Sequence, residues 1–155
     1  MKLRVIAVGT RVPPWVREGY DEYSLRLQSS LKPVLLEIEP GARTGGSPRR
    51  ALESESRKLL AALKPAEFVV VLDEQGVQMT SVELAEWLGA RMRSGQDLAF
   101  LIGGPDGFAP EVRARGDLNL SLSRFTLPHA LARVVLAEQI YRAHSLLTRH
   151  PYHRA

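Results

Sequence analysis

Apolar positions along this chain recur in two alternating rhythms. Positions 2–8 form a short apolar run rich in β-branched residues, which predicts a buried strand closed by Gly9-Thr10. Pro14 suits the first turn of a helix, and Val16, Tyr20, Tyr23 and Leu27 then recur on one helical face. Positions 33–38 predict a second strand. The segment from Pro40 to Gly46 reads by composition as a mobile loop. Ser47-Pro48 is an N-cap and N1 pair. It opens a helix to about 63, with Leu52, Leu59, Leu60 and Leu63 inward. Positions 68–73 are apolar without alternation, as expected of a strand covered on both faces. Thr80-Ser81-Val82-Glu83 is a capping box that starts a helix to about 92. A fully apolar strand over 98–102 runs into Gly103-Gly104-Pro105-Asp106-Gly107. A short helix over 110–115, a strand over 118–122 and a helix over 129–147 complete the pattern.

Strands alternating with helices predict an α/β fold: a mainly parallel sheet with helices on both faces. No repeat or linker divides it, so residues 1–155 read as one domain. In such sheets ligands sit beyond the carboxyl ends of the strands. Three turns qualify: Asp73 to Gly76, Gly103 to Gly107, and Leu122 to Pro128.

Composition narrows the chemistry. The chain has 155 residues, 45% hydrophobic and 25% charged, which is ordinary for one globular domain. Cysteine is absent, which removes disulfides, thiolate metal sites and a cysteine nucleophile. The formal charge of +4 permits an anionic partner without requiring one. No apolar stretch approaches the ~20 residues of a membrane span. The apolar run at the start is too short for a signal peptide, so a cytoplasmic protein with no membrane partner is expected.

Four features could carry chemistry. The glycine-rich turn after the strand over 98–102 allows close approach to its backbone. It lacks the Gly-Lys-Ser/Thr of a Walker loop and the Gly-x-Gly-x-x-Gly of a dinucleotide site, which argues against ATP and nicotinamide enzymes. Leu122-Ser123-Arg124-Phe125-Thr126-Leu127-Pro128-His129 has a loop's position but an apolar composition. Either it is packed under something or its backbone lines an apolar pocket able to read an adenine edge. In the last helix Arg133, Glu138 and Arg142 are charges embedded in apolar surface and need partners. Glu138 and Arg142 are four apart on one face, which suits a structural ion pair or an oligomer contact. The tail from Arg142 onward holds His144, Arg149, His150, His153 and Arg154 with no acid, and Tyr141 and Tyr152 interleave. That mixture suits a phosphate backbone and a stacked base, or a frayed basic terminus. His129, His150 and His153 match no metal-site spacing, so no metal is expected.

Several of these motifs occur together in one known family. Leu101 to Gly107, Thr126 to His129 with Arg133, Glu138 to Ala143 and the ending His150-Pro151-Tyr152-His153-Arg154 resemble the ribosomal RNA large subunit methyltransferase H family. This is a small bacterial branch of the SPOUT class of knotted methyltransferases, and the resemblance covers the whole chain. It implies a homodimer with a carboxyl-terminal trefoil knot. It implies S-adenosylmethionine held by Leu72, Asp73 and Gly76, by Gly103, Gly104, Pro105 and Gly107, and by Leu122, Ser123, Arg124, Phe125, Thr126 and Leu127. It implies methylation of N3 of a pseudouridine in the helix 69 loop of 23S rRNA within assembled ribosomes, with no metal. On that reading Arg154 or His153, near a partner subunit's pocket, stabilises the developing imide anion. Tyr152 stacks on or orients the base, and His129 is the alternative base. Arg133, Glu138 and Arg142 are structural or interface residues. The competing expectations are a tRNA methyltransferase of the same fold and a non-enzymatic ribosome-binding protein.

Overall fold

A computed structural model describes residues 1–43 and 45–154. The elements run β1 (Leu3–Val8), α1 (Pro14–Ser24), β2 (Val34–Ile38), α2 (Pro48–Ala62), β3 (Phe68–Gln78), α3 (Ser81–Ser94), β4 (Leu98–Ile102), α4 (Pro110–Arg115), β5 (Leu118–Ser121) and α5 (His129–Thr148). Short 3-10 turns occupy Ser29–Leu31 and Pro151–Arg154. The strands form one five-stranded sheet in the order β2-β1-β4-β3-β5, and every pairing is parallel.

The two-residue period of the strands divides the core in two. Leu3, Val5 and Ala7, with Val70, Phe100 and Ile102, face one way and pack with Leu84 and Leu88 of α3 and Leu136 and Ile140 of α5. Ile6, Val8, Val69, Val71, Ala99 and Leu101 face the other way, against Leu59 of α2 and Val112 of α4. β4 is therefore buried along its whole length. That explains its apolar sequence without alternation. The caps act where the sequence placed them. Ser47 Oγ accepts from the Arg50 amide at 3.2 Å, and Thr80 Oγ1 accepts from the Glu83 amide at 3.1 Å.

Several local expectations are corrected. α1 ends at Ser24, so Leu27 lies beyond the helix, although it is buried. In α2 the buried residues are Ala51, Glu55, Ser56 and Leu59. Leu52, Leu60 and Leu63 are only half-buried. β3 also continues past the turn expected at Asp73 to Gly76. Leu72 and Val77 both pair with Leu120, so four residues loop out of the strand before pairing resumes. Gly76 is required there, because a Cβ would lie 2.6 Å from the Asn119 carbonyl oxygen. The Pro40–Gly46 segment was expected to be mobile. Its first half is tied down: the Gly41 amide and the Arg43 guanidinium both bond Glu55. Thr44 lies outside the described residues.

Candidate functional site

The carboxyl ends of β3, β4 and β5 converge on one cleft of about 370 Å³. Leu72, Asp73 and Glu74 come from the β3 end. Ile102 and the turn from Gly103 to Phe108 come from β4. Leu122, Ser123, Phe125, Thr126 and Leu127 follow β5, and Arg113, His129 and Ala132 close the wall. Two of the three chain segments are pinned together, and α4 is tied to the same strand. Thr126 Oγ1 donates to Glu74 Oε2 at 3.0 Å, joining the segment after β5 to that of β3. Arg113 Nε donates to Asp73 Oδ2 at 2.7 Å, joining α4 to β3. The glycine turn closes on itself, with the Gly107 amide bonding the Gly104 carbonyl at 3.1 Å. Gly107 has φ of +72°, a conformation that a side chain disfavours.

Most of the cofactor-binding positions proposed from sequence lie on this wall, and two do not. Gly76 sits against Asn119 and shapes the β3 loop-out. Arg124 is exposed and outside the cleft lining. Phe125 is not packed under anything, being 83% exposed at the rim. Sequence reasoning missed Ile102, Phe108, Arg113 and Ala132 as lining residues, and passed over Glu74 and Asp106 inside turns it had singled out. Asp106 therefore had a local signal. Arg113 had none, because its partner Asp73 is forty residues away.

His129 lines the cleft, while the other three catalytic candidates lie elsewhere on the chain. Partial burial pushes the His129 imidazole below its ordinary range, and the nearby Arg133 and Arg43 charges add to this, so it is held neutral. The tail folds back as a 3-10 turn on α5. Tyr152 Oη donates to Glu138 Oε1 at 3.0 Å, and Arg142 Nε donates to the same oxygen at 2.9 Å. Arg142 also lies over the Tyr152 ring, 5.2 Å from its centre. Burial and the Glu138 carboxylate push the Tyr152 phenol up to about 12, so it is a donor at neutral pH. His153 Nδ1 lies 3.4 Å from Ser145 Oγ, and Arg154 is exposed. The tail is thus docked, not frayed. Arg133 points elsewhere: it bonds Glu37 Oε2 at 2.6 Å and the Gly9 carbonyl at 2.7 Å.

Among the described residues no helix is long and apolar enough to cross a membrane. Two solved structures share the fold at 12% sequence identity. A methylase family protein from Haemophilus influenzae has a TM-score of 0.54 over 97% of this chain and 69% of its own. Another from Neisseria gonorrhoeae has a TM-score of 0.52 over 90% and 81%. A protein of Stenotrophomonas maltophilia named Ribosomal RNA large subunit methyltransferase H is 51% identical over 156 residues, covering 100% of both chains. A protein of the same name from Nitrosomonas eutropha is 46% identical, again over 100% of both. The family described as Predicted SPOUT methyltransferase matches residues 1–153. The expected α/β architecture and methyltransferase class stand, and this chain belongs to the SPOUT methyltransferase family.

Proposed function

We propose that the chain methylates large-subunit ribosomal RNA, taking the methyl group from S-adenosylmethionine bound in the cleft. The target is N3 of a pseudouridine in the helix 69 loop of 23S rRNA, reached in assembled ribosomes in the cytoplasm. The observation that carries this reading is the cleft itself, in a chain whose full-length relatives bear a ribosomal RNA methyltransferase name. Its volume falls in the range of about 300–1,000 Å³ that suits small ligands. Its lining fits the donor's chemistry. Leu72, Ile102, Phe108, Leu122 and Leu127 offer apolar surface to an adenine ring. Asp73, Glu74 and Asp106 place carboxylates near a ligand that carries a sulfonium and an ammonium.

When bound, S-adenosylmethionine supplies an electrophilic methyl group on a positively charged sulfur. The chain's own residues must then orient the acceptor and manage one proton, because N3 is an imide nitrogen that reacts after deprotonation. His129 at the cleft wall would be the alternative base, unprotonated at neutral pH although the same burial weakens it as a proton acceptor. Arg154 or His153 would stabilise the imide anion, and Tyr152 would stack on or orient the base. Within one chain these tail groups are remote from the cleft. Tyr152 docks at Glu138, nine residues along α5 from His129, or about 14 Å of helix. A homodimer resolves this, with the tail of one protomer serving the cleft of its partner.

The test is methyl transfer from labelled S-adenosylmethionine to intact ribosomes, free 23S rRNA and tRNA. The reading expects label in 23S rRNA of intact ribosomes. Label confined to tRNA would replace it with the tRNA enzyme. Absence of donor binding in calorimetry would leave a non-enzymatic ribosome-binding protein.

A further inference from the structure

Glu55 is a carboxylate in the middle of α2 with 1% exposure, on a face that should be apolar. Burial of an unpaired carboxylate is strongly unfavourable, and this one is fully engaged. Glu55 Oε2 accepts from Arg43 Nη1 at 2.7 Å and from the Gly41 amide at 2.9 Å, and its Oε1 accepts from Arg43 Nη2 at 3.3 Å. The Arg43 guanidinium does not stop there. Its Nη2 lies 3.0 Å from Asp106 Oδ2, and its Nε donates to the same oxygen at 3.0 Å. Asp106 is on the cleft wall, whereas Arg43 and Glu55 are behind it. Glu55 also backs the glycine turn directly, since a Cβ on Gly104 would lie 3.3 Å from its Oε1. The segment carrying Arg43 is itself pressed on α2, where a Cβ on Gly41 would meet the Ala51 carbonyl oxygen at 2.4 Å.

We propose that Arg43 and Glu55 are positioning residues for the methyl-donor site. The buried Glu55 clamps Arg43, and Arg43 holds Asp106 and the 103–107 turn in the shape that binds the donor. This rests on the reading of the cleft as the donor site. The physical logic is that a glycine-rich turn has many accessible conformations, and a ligand must otherwise bear the loss of freedom on binding. A planar guanidinium joining two carboxylates removes that freedom in advance. A merely structural pair would stabilise α2 and leave donor affinity unchanged.

The experiment uses the full chain. Binding of S-adenosylmethionine is measured by calorimetry for the wild type, Arg43→Met, Asp106→Asn and the double variant, with the melting temperature of each unliganded protein alongside. Each single variant is expected to bind the donor about tenfold more weakly, and the double variant no more weakly than the weaker single. In turnover assays KM for the donor should rise while kcat at saturating donor is retained. Arg43→Lys, which keeps a charge but loses the planar fork, should fall between wild type and Arg43→Met. Donor affinity of Arg43→Met within twofold of wild type would overturn the clamp, as would losses that multiply in the double variant. A wild-type chain that fails to bind the donor would instead remove the reading of the cleft, and the clamp with it.

Discussion

The two halves of α5 use charge in opposite ways. In the first half Arg133 is 1% exposed and bonds Glu37 and Gly9, which lie 96 and 124 positions away in the chain. Across the midpoint into the second half, Glu138 and Arg142 bond each other over one helical turn and remain partly open to solvent. Tyr152 then closes over them from the tail. The first arrangement ties α5 to the carboxyl ends of β1 and β2, so its loss removes support from the fold. The second shares one carboxylate oxygen between a phenol and a guanidinium that keep part of their surface open to solvent. A buried charge with distant partners serves the architecture. A half-open cluster of charge and aromatic rings is what a polyanionic substrate can use.

The sharpest way to break this comparison is to remove the tail. A chain truncated after Pro151 should fold and bind S-adenosylmethionine but lose methyl transfer to ribosomes by about a thousandfold, the scale of positioned charge stabilisation. Retained transfer would make the tail structural. Arg133→Met should lower unfolding stability by about 3–5 kcal/mol in urea titration, because it strands the Glu37 carboxylate and the Gly9 carbonyl. A loss below about 1 kcal/mol would erase the contrast between the halves. Glu138→Ala, which removes the shared acceptor of Arg142 and Tyr152, should cost the fold about 1–3 kcal/mol and, in the proposed homodimer, reduce turnover more than dimer stability. Sedimentation together with turnover reads both, and a dissociated but proportionately active protein would assign the pair to the interface.

The smallest effect is in the pH dependence. The His129 imidazole titrates below its ordinary value near 6.5 because of burial and nearby arginines. The folded chain therefore takes up that proton less readily than the unfolded chain. Its contribution to stability is present above about pH 6.5 and is lost as pH falls from there toward the lowered value. His129→Gln should flatten this acid limb in urea titrations between pH 5 and 7. An unchanged limb would mean that other groups set it.

Much of the fold was legible because its signals are local. Ser47 and Thr80 cap the helices they precede, and the unbroken apolar runs of β3 and β4 announce burial on both faces. The three candidate turns followed from the rule for parallel sheets, and all three supply cleft residues. Glu55 was not legible. Leucines at 52, 59 and 60 set an apolar face, and nothing nearby revealed that Arg43 and Gly41 would make a carboxylate the better occupant. The loop-out of β3 was likewise hidden, since it depends on Leu72 and Val77 sharing Leu120 as partner.

The chain by itself therefore determined the order of elements, the two-sided parallel sheet, the helix starts and the strand ends that line the cleft. These depend on periodicity, capping and turn chemistry within a few residues. Only the tertiary structure decided which carboxylate each arginine meets, that the tail docks on α5, and that Gly76 and Arg124 fall outside the cleft. Those outcomes depend on distances between residues far apart in sequence, and such distances exist only once the sheet has brought the strand ends together.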